Sequence, residues 1–197
     1  MRSLNPSILV MTAAVALMAA TPSGSGQLTL REGSRLWFDG TSTVRSWSCT
    51  ADRIDATINS PETAVTDAVL DGRKVDGKVE VDFPVAKLEC KNGTMNEHMR
   101  KALKATDNPT IRFALDGYDL TKTSAVGGTL HGTLQLAGQS KPIIIPVQFA
   151  PAEGGLRVTG KVPLKMTEWG VKPPTLMLGT LKVGETVTVN FDLLLQH

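Results

Sequence analysis

Two cysteines and three histidines have the widest chemical reach of any side chains here, and their spacing restricts what they can do. A closed zinc site takes four Cys or His ligands, yet only His98, beyond Cys90, stands near either cysteine. Cys49 and Cys90 therefore read as a disulfide or as two buried thiols, and an oxidising compartment favours the bridge. Closing a loop of that size contributes roughly 4 kcal/mol in the chain-entropy model. His98 shares its segment with basic residues, His131 falls on the polar side of an alternating run and His197 is terminal, so all three read as solvated surface groups. No P-loop, paired-glycine dinucleotide fingerprint, nucleophile elbow or His-Glu-x-x-His helix is present. The sequence offers no catalytic constellation, no metal site and no cofactor motif, and it does not read as an enzyme.

Bulky apolar residues with adaptable or polar edges are the other candidates. Trp37, Trp47 and Trp169 each sit beside small or polar neighbours, where an indole either rims a ligand mouth or plugs a core with its N–H bonded to backbone. Met95, Met99, Met166 and Met177 offer an adaptable wall to a flexible apolar ligand, or fill core gaps.

Positioning these residues requires a folded frame. The chain has 197 residues, 41% hydrophobic and 20% charged, enough for one domain with a proper core. Its formal charge of +2 is spread without long like-sign blocks, which argues against a nucleic-acid partner. Residues 1–26 read as a signal peptide and short linker. Arg2 precedes an uncharged apolar run, Ile8 to Ala20, that ends in small residues, with cleavage expected between Ala19 and Gly26. The run falls short of the roughly 20 residues of a spanning helix, so no permanent membrane anchor is expected and the mature chain should be periplasmic or secreted.

Residues 27–197 are mostly short runs of period two. In the last, Val183, Glu185, Val187, Val189, Phe191, Leu193 and Leu195 share one face. The same alternation runs through Ile54 to Ile58, Val79 to Val85, Ile111 to Leu115, Leu130 to Leu136, Ile143 to Phe149 and Leu156 to Met166. Asp71-Gly72, Asp76-Gly77, Asp116-Gly117, Gly127-Gly128, Gly138-Gln139-Ser140 and Gly154-Gly155 punctuate them as hairpin connections. One-sided antiparallel strands must bury their faces together, in a two-sheet sandwich or a closed barrel. A single helix is expected from Thr94 to about Ala105, with Thr94 and Glu97 as a capping box and its methionines facing the core.

The order of several stretches resembles the YceI-like family of exported, lipid-binding β-barrel proteins. The resemblance is carried by Gly40-Thr41-Ser42-Thr43-Val44 followed by Trp47, by Met95 to Leu103 leading into Asn108-Pro109-Thr110-Ile111-Arg112-Phe113, by Gly132 to Ile143, and by Trp169-Gly170-Val171. It implies an all-β fold, an extended eight-stranded antiparallel β-barrel of lipocalin-like form, with a tunnel for a long isoprenoid chain or similar amphiphile. This chain departs from the family pattern at Thr43 to Cys49, which lacks a histidine, and in carrying the cysteine pair. Phe113, Leu134, Ile145, Val147, Val189 and Phe191 are the expected tunnel wall, with Trp47 and Trp169 at the mouth, the alternative for each being a place in the dry core. About eight strands is the size at which a barrel either fills with its own side chains or holds one small ligand. A lipid carrier or store, a ligandless structural or interaction domain, and a hydrolase with an unrecognised site are thus the competing functions, in that order.

Overall fold

The computed structural model describes residues 26–176, 178 and 180–197. The expected leader, apart from Gly26, lies outside the described residues, as does Met177.

The alternating runs form strands β1 (Gly26–Leu30), β2 (Arg35–Thr41), β3 (Ser46–Ala51), β4 (Asp55–Ser60), β5 (Lys78–Pro84), β6 (Leu88–Glu89), β7 (Thr110–Lys122) and β8 (Val126–Leu136). They continue as β9 (Gln139–Ala152), β10 (Gly155–Lys165), β11 (Thr175–Leu176), β12 (Leu181–Lys182) and β13 (Thr186–Gln196). All pairings are antiparallel, in the order β1-β4-β5-β7-β8-β9-β10-β13, and β13 pairs back onto β1 to close the ring. This is a closed eight-stranded barrel, so the choice between sandwich and barrel falls to the barrel.

The barrel is extended because its early strands bend rather than end. β2 pairs with β13 at residues 188–192 and β1 pairs with it at 195–196, so the two behave as one interrupted strand. Between them Leu194 bridges the bend. Its carbonyl accepts from the Arg31 amide at 2.8 Å, and its amide donates to the Ser34 hydroxyl at 3.0 Å. Gly33 supplies the positive φ of 91° that the turn needs.

One end is closed by helix α1 (Val65–Leu70), which the periodicity did not disclose; Val65, Ala68 and Val69 are buried. The following connection is held over this end by Tyr118. Its hydroxyl donates to the Val75 carbonyl at 2.9 Å and accepts from the Val75 amide at 2.6 Å, and burial raises the phenol above its ordinary pKa. Tyr118 faces inward because of a bulge. The β7–β8 register shifts between Leu115 and Gly117, so the inward series 111, 113, 115 resumes at 118.

Asp116-Gly117 is therefore a bulge inside β7 and not a hairpin connection, and Gly127-Gly128 lies inside β8. The actual β8–β9 turn is Ala137-Gly138, both at positive φ (50° and 86°), as a two-residue hairpin of mirror-image type requires.

The opposite end is covered by helix α2 (Gly93–Ala102). The expected capping box is not used. Asn92, in an extended conformation, caps the helix by accepting from the Met95 amide at 2.9 Å, so α2 begins before Thr94 and ends at Ala102.

Candidate functional site

The inward faces of the barrel do not meet. They enclose one continuous cavity of about 670 Å³, running from Val65 and Val69 of α1 to Ser42, Arg45, Asn92 and Thr94 at the α2 end. Its wall is the period-two pattern in three dimensions: β13 contributes Val187, Val189, Phe191, Leu193 and Leu195, and β10 contributes Leu156, Val158, Val162 and Leu164. The series omits Gly160 in β10 and Gly132 in β8, and these omissions keep the lumen open. A Cβ on Gly160 would stand 2.2 Å from the Phe191 ring, and one on Gly132 would stand 2.4 Å from the Phe113 ring. Each ring lies flat against a neighbouring strand, in space a side chain would otherwise occupy. Gly40 does the same for Trp47, its direct cross-strand partner, at 2.1 Å.

Among the expected wall residues, Phe113, Leu134, Ile145, Val189 and Phe191 line the cavity. Val147 does not, although it is only 2% exposed. Its cross-strand partners are Gly128 and Gly160; the Phe191 ring lies against Gly160, the edge of the Phe149 ring comes within 3.3 Å of where a Gly128 Cβ would stand, and both rings line the cavity. Trp47 and Trp169 both line the cavity. The Trp47 indole donates to the Thr41 carbonyl at 3.1 Å, and its ring meets Phe38 edge to face. Trp169 is buried, with the Lys141 ammonium 5.8 Å from its ring centre. Trp37 is absent from the lining: as the odd member between Leu36 and Phe38 it faces outward, where the Arg35 guanidinium covers it at 5.7 Å.

Helix α2 supplies Met95, His98, Met99 and Ala102, spaced i, i+3, i+4, i+7, so one helical stripe roofs the cavity. His98 belongs to that stripe and is half-buried, which corrects its reading as a surface histidine; the spacing, rather than its basic neighbours, carried the signal. Met166 also lines the cavity. The helix is fastened at its start by the Cys49–Cys90 disulfide and by buried Asn96. Asn96 accepts from the Cys90 amide at 2.8 Å and donates to the Glu89 carboxylate at 2.7 Å; the latter bond is the main cause of that carboxyl's lowered pKa. Beyond the helix, the Lys104 ammonium donates to the Ala137 carbonyl at 3.4 Å.

Electrostatically the cavity is one-sided. No Asp or Glu lines it among the described residues, and its two basic groups, Arg45 and His98, belong to the α2 end. Tyr118, at the other end, has its hydroxyl committed to Val75. The lumen can thus take an apolar chain and offer donors to a polar group only near α2. His131 is on the outer face, bonded to Asp119 at 3.1 Å, and His197 meets the Thr66 hydroxyl at 3.4 Å. No group of three or more His, Cys, Asp or Glu side chains that could hold a metal ion occurs among the described residues.

A closed antiparallel barrel around an apolar lumen, with a helix across one end, places the molecule in the lipocalin-like class of barrels. The sequence matches the model of the YceI-like domain over residues 25–195, and the chain belongs to that family.

Solved structures with the same fold include BcnA of Burkholderia cenocepacia, with a TM-score of 0.67 at 14% identity, covering 86% of this chain and 100% of that one. A polyisoprenoid binding domain from Saccharophagus degradans, described as implicated in plant cell wall breakdown, gives 0.60 at 12% identity, over 86% and 97% of the two chains. The Campylobacter jejuni YCEI protein gives 0.58 at 17% identity, over 92% and 96%. No curated protein sequence matches the chain.

Proposed function

We propose that this protein binds an isoprenoid-like or similar amphiphilic lipid in its barrel and carries or stores it outside the cytoplasm. The observation that carries this reading is the continuous 670 Å³ apolar cavity with its polar groups gathered at one end. Ligand pockets generally run from about 300 to 1,000 Å³. Water in so apolar a lumen finds few hydrogen-bond partners, and an apolar guest that displaces it gains roughly 25 cal/mol for each Å² it takes out of water. Phe113, Leu134, Ile145, Val189 and Phe191 would contact the chain, with Trp47, Trp169 and the α2 methionines around its α2-proximal part. The polar head would lie near Arg45 and His98.

The polyisoprenoid binding domain among the similar structures supports an isoprenoid as the guest. The disulfide suits an oxidising compartment. Nothing in the reading requires a cofactor or covalent chemistry.

The test is a titration of solvent-extracted, refolded protein with a long-chain prenol, followed by indole fluorescence. Saturable binding near one prenol per chain is expected, with the emission of Trp47 and Trp169 responding. An unchanged spectrum and no retained prenol after gel filtration would remove the lipid reading and leave a ligandless barrel.

A further inference from the structure

Three large hydrophobic side chains stand exposed among the described residues: Val44 at 71%, Ile144 at 61% and Leu178 at full exposure. Two of the three belong to adjoining turns beside the cavity's polar end. Val44 lies in the β2–β3 turn, whose Ser42 and Arg45 line the cavity, and Leu178 lies in the β11–β12 connection, whose flanks Pro174 and Leu181 also line it. The two turns are locked together. The Thr43 amide donates to the Lys182 carbonyl at 3.0 Å, the Thr43 hydroxyl donates to the Thr180 carbonyl at 3.0 Å, and the Lys182 amide donates to the Thr43 hydroxyl at 3.2 Å. Thr43 thus ties the turn that carries Val44 to the β12 side of the connection that carries Leu178.

Charge divides along the same axis. Segments 42–45, 91–109, 137–138, 166–176 and 180–185, at the α2 end, carry seven basic and four acidic side chains. Segments 61–77, 123–125 and 153–154, at the α1 end, carry two basic and five acidic ones. Arg45, Lys172 and Lys182 are all exposed, Arg45 next to Val44 in the chain and the two lysines before and after Leu178.

We infer that the rim these two turns form docks the barrel, α2 end first, on an anionic phospholipid surface, with Val44 and Leu178 entering the interface and Arg45, Lys172 and Lys182 facing the headgroups. The inference rests on the lipid-carrying reading, because docking there sets the cavity's polar end, where the lipid head would lie beside Arg45 and His98, against the bilayer. Cations near an anionic membrane act within about a Debye length, so the attraction is salt-sensitive, whereas the apolar tips add a part that is not.

The test uses the disulfide-bonded chain and vesicles of phosphatidylcholine with or without phosphatidylglycerol. Cosedimentation should occur with the anionic vesicles and fall sharply with neutral ones or in high salt. Removing one cation in Lys172→Gln or Lys182→Gln should weaken it about fivefold, and Val44→Ser with Leu178→Ser should abolish it. Arg73→Gln, at the opposite end, should change nothing. None of these residues lines the cavity, so prenol binding by each variant should equal the parent's and also shows that the variant has folded. Prenol binding without any vesicle association would overturn the docking surface and leave carriage standing. Vesicle association without prenol binding would do the reverse. A self-association in solution that Leu178→Ser abolishes would assign the rim to a second copy and overturn the membrane proposal.

Discussion

Gly160 and Phe191 face each other across β10 and β13, and the phenylalanine ring lies where the glycine's side chain would be. The ring is thereby held against the wall instead of standing in the lumen. Gly160→Ala should push it inward, shrink the cavity and destabilise the barrel by about 1–3 kcal/mol through overpacking. Gly117→Ala, whose Cβ would meet nothing within 4 Å, is the control. Prenol stoichiometry and thermal unfolding of the two variants give the comparison. A Gly160→Ala protein with full prenol capacity would show that the ring position does not govern the lumen.

The Cys49–Cys90 disulfide joins β3 to the segment leading into α2 across 41 residues. Reducing it, or replacing both cysteines by alanine, should cost about 4 kcal/mol on the chain-entropy model. It should also raise hydrogen exchange first in residues 90–103, which it fastens over the cavity. Uniformly faster exchange with no excess in α2 would mean that the bridge stabilises the barrel as a whole and is not a helix fastening.

Asp192 is 7% exposed and accepts two bonds from Arg157 at 2.7 Å and one from Arg35 at 3.0 Å. The Arg157 bonds are the largest cause of its carboxyl pKa lying below the ordinary value, with Arg35 adding to them. A folded pKa below the unfolded one stabilises the fold at pH above the unfolded value of about 3.9 and is lost as pH falls through the folded one. Asp82, held down by Arg112 bonds at 2.7 Å, acts in the same direction. Asp192→Asn should lower stability by about 2 kcal/mol at neutral pH, since charge-assisted bonds are worth roughly that, and should flatten the acid limb below about pH 4. Denaturant midpoints measured from pH 7 down to pH 2.5 on both proteins would show parallel acid limbs if Asp192 were not a source of the dependence.

Tyr118→Phe removes both bonds to Val75 and leaves that backbone pair unsatisfied in a half-buried place. A loss of about 1–3 kcal/mol is expected, with earlier proteolysis in the 71–77 connection. Unchanged stability would show that the connection is held instead by the Ser60 hydroxyl, which donates to the Asp76 carbonyl at 2.6 Å.

Much of this arrangement was legible in the sequence because strand alternation is local. The inward series of β10 and β13 could be read residue by residue, and their partners on the sheet agree with it. What misled was glycine. Asp116-Gly117 and Gly127-Gly128 have the composition of turns, yet one is a bulge that turns Tyr118 inward and the other lies inside β8. Gly128 and Gly160 flank Val147, and the Phe149 and Phe191 rings beside those glycines line the cavity where Val147 does not. Such pairings are made between strands, so no single run discloses them. Helix α1 spans only 6 residues, too few for its period to show. His98 was within reach, since its spacing from Met95 and Ala102 places it on their stripe. Closure of the ring depends on β13 pairing with both β1 and β2, the most distant strand pairings in the chain, which no local run of residues encodes and only the family resemblance implies.

Whether the barrel carries a lipid is decided by native mass spectrometry of the protein purified without detergent from its own host, followed by solvent extraction of the same sample. A population heavier than the bare mature chain by the mass of one lipid is expected, and solvent should release that lipid as an isoprenoid or kindred amphiphile. A single species at the bare mass, with no extractable lipid and water filling the 670 Å³ cavity, would contradict lipid carriage.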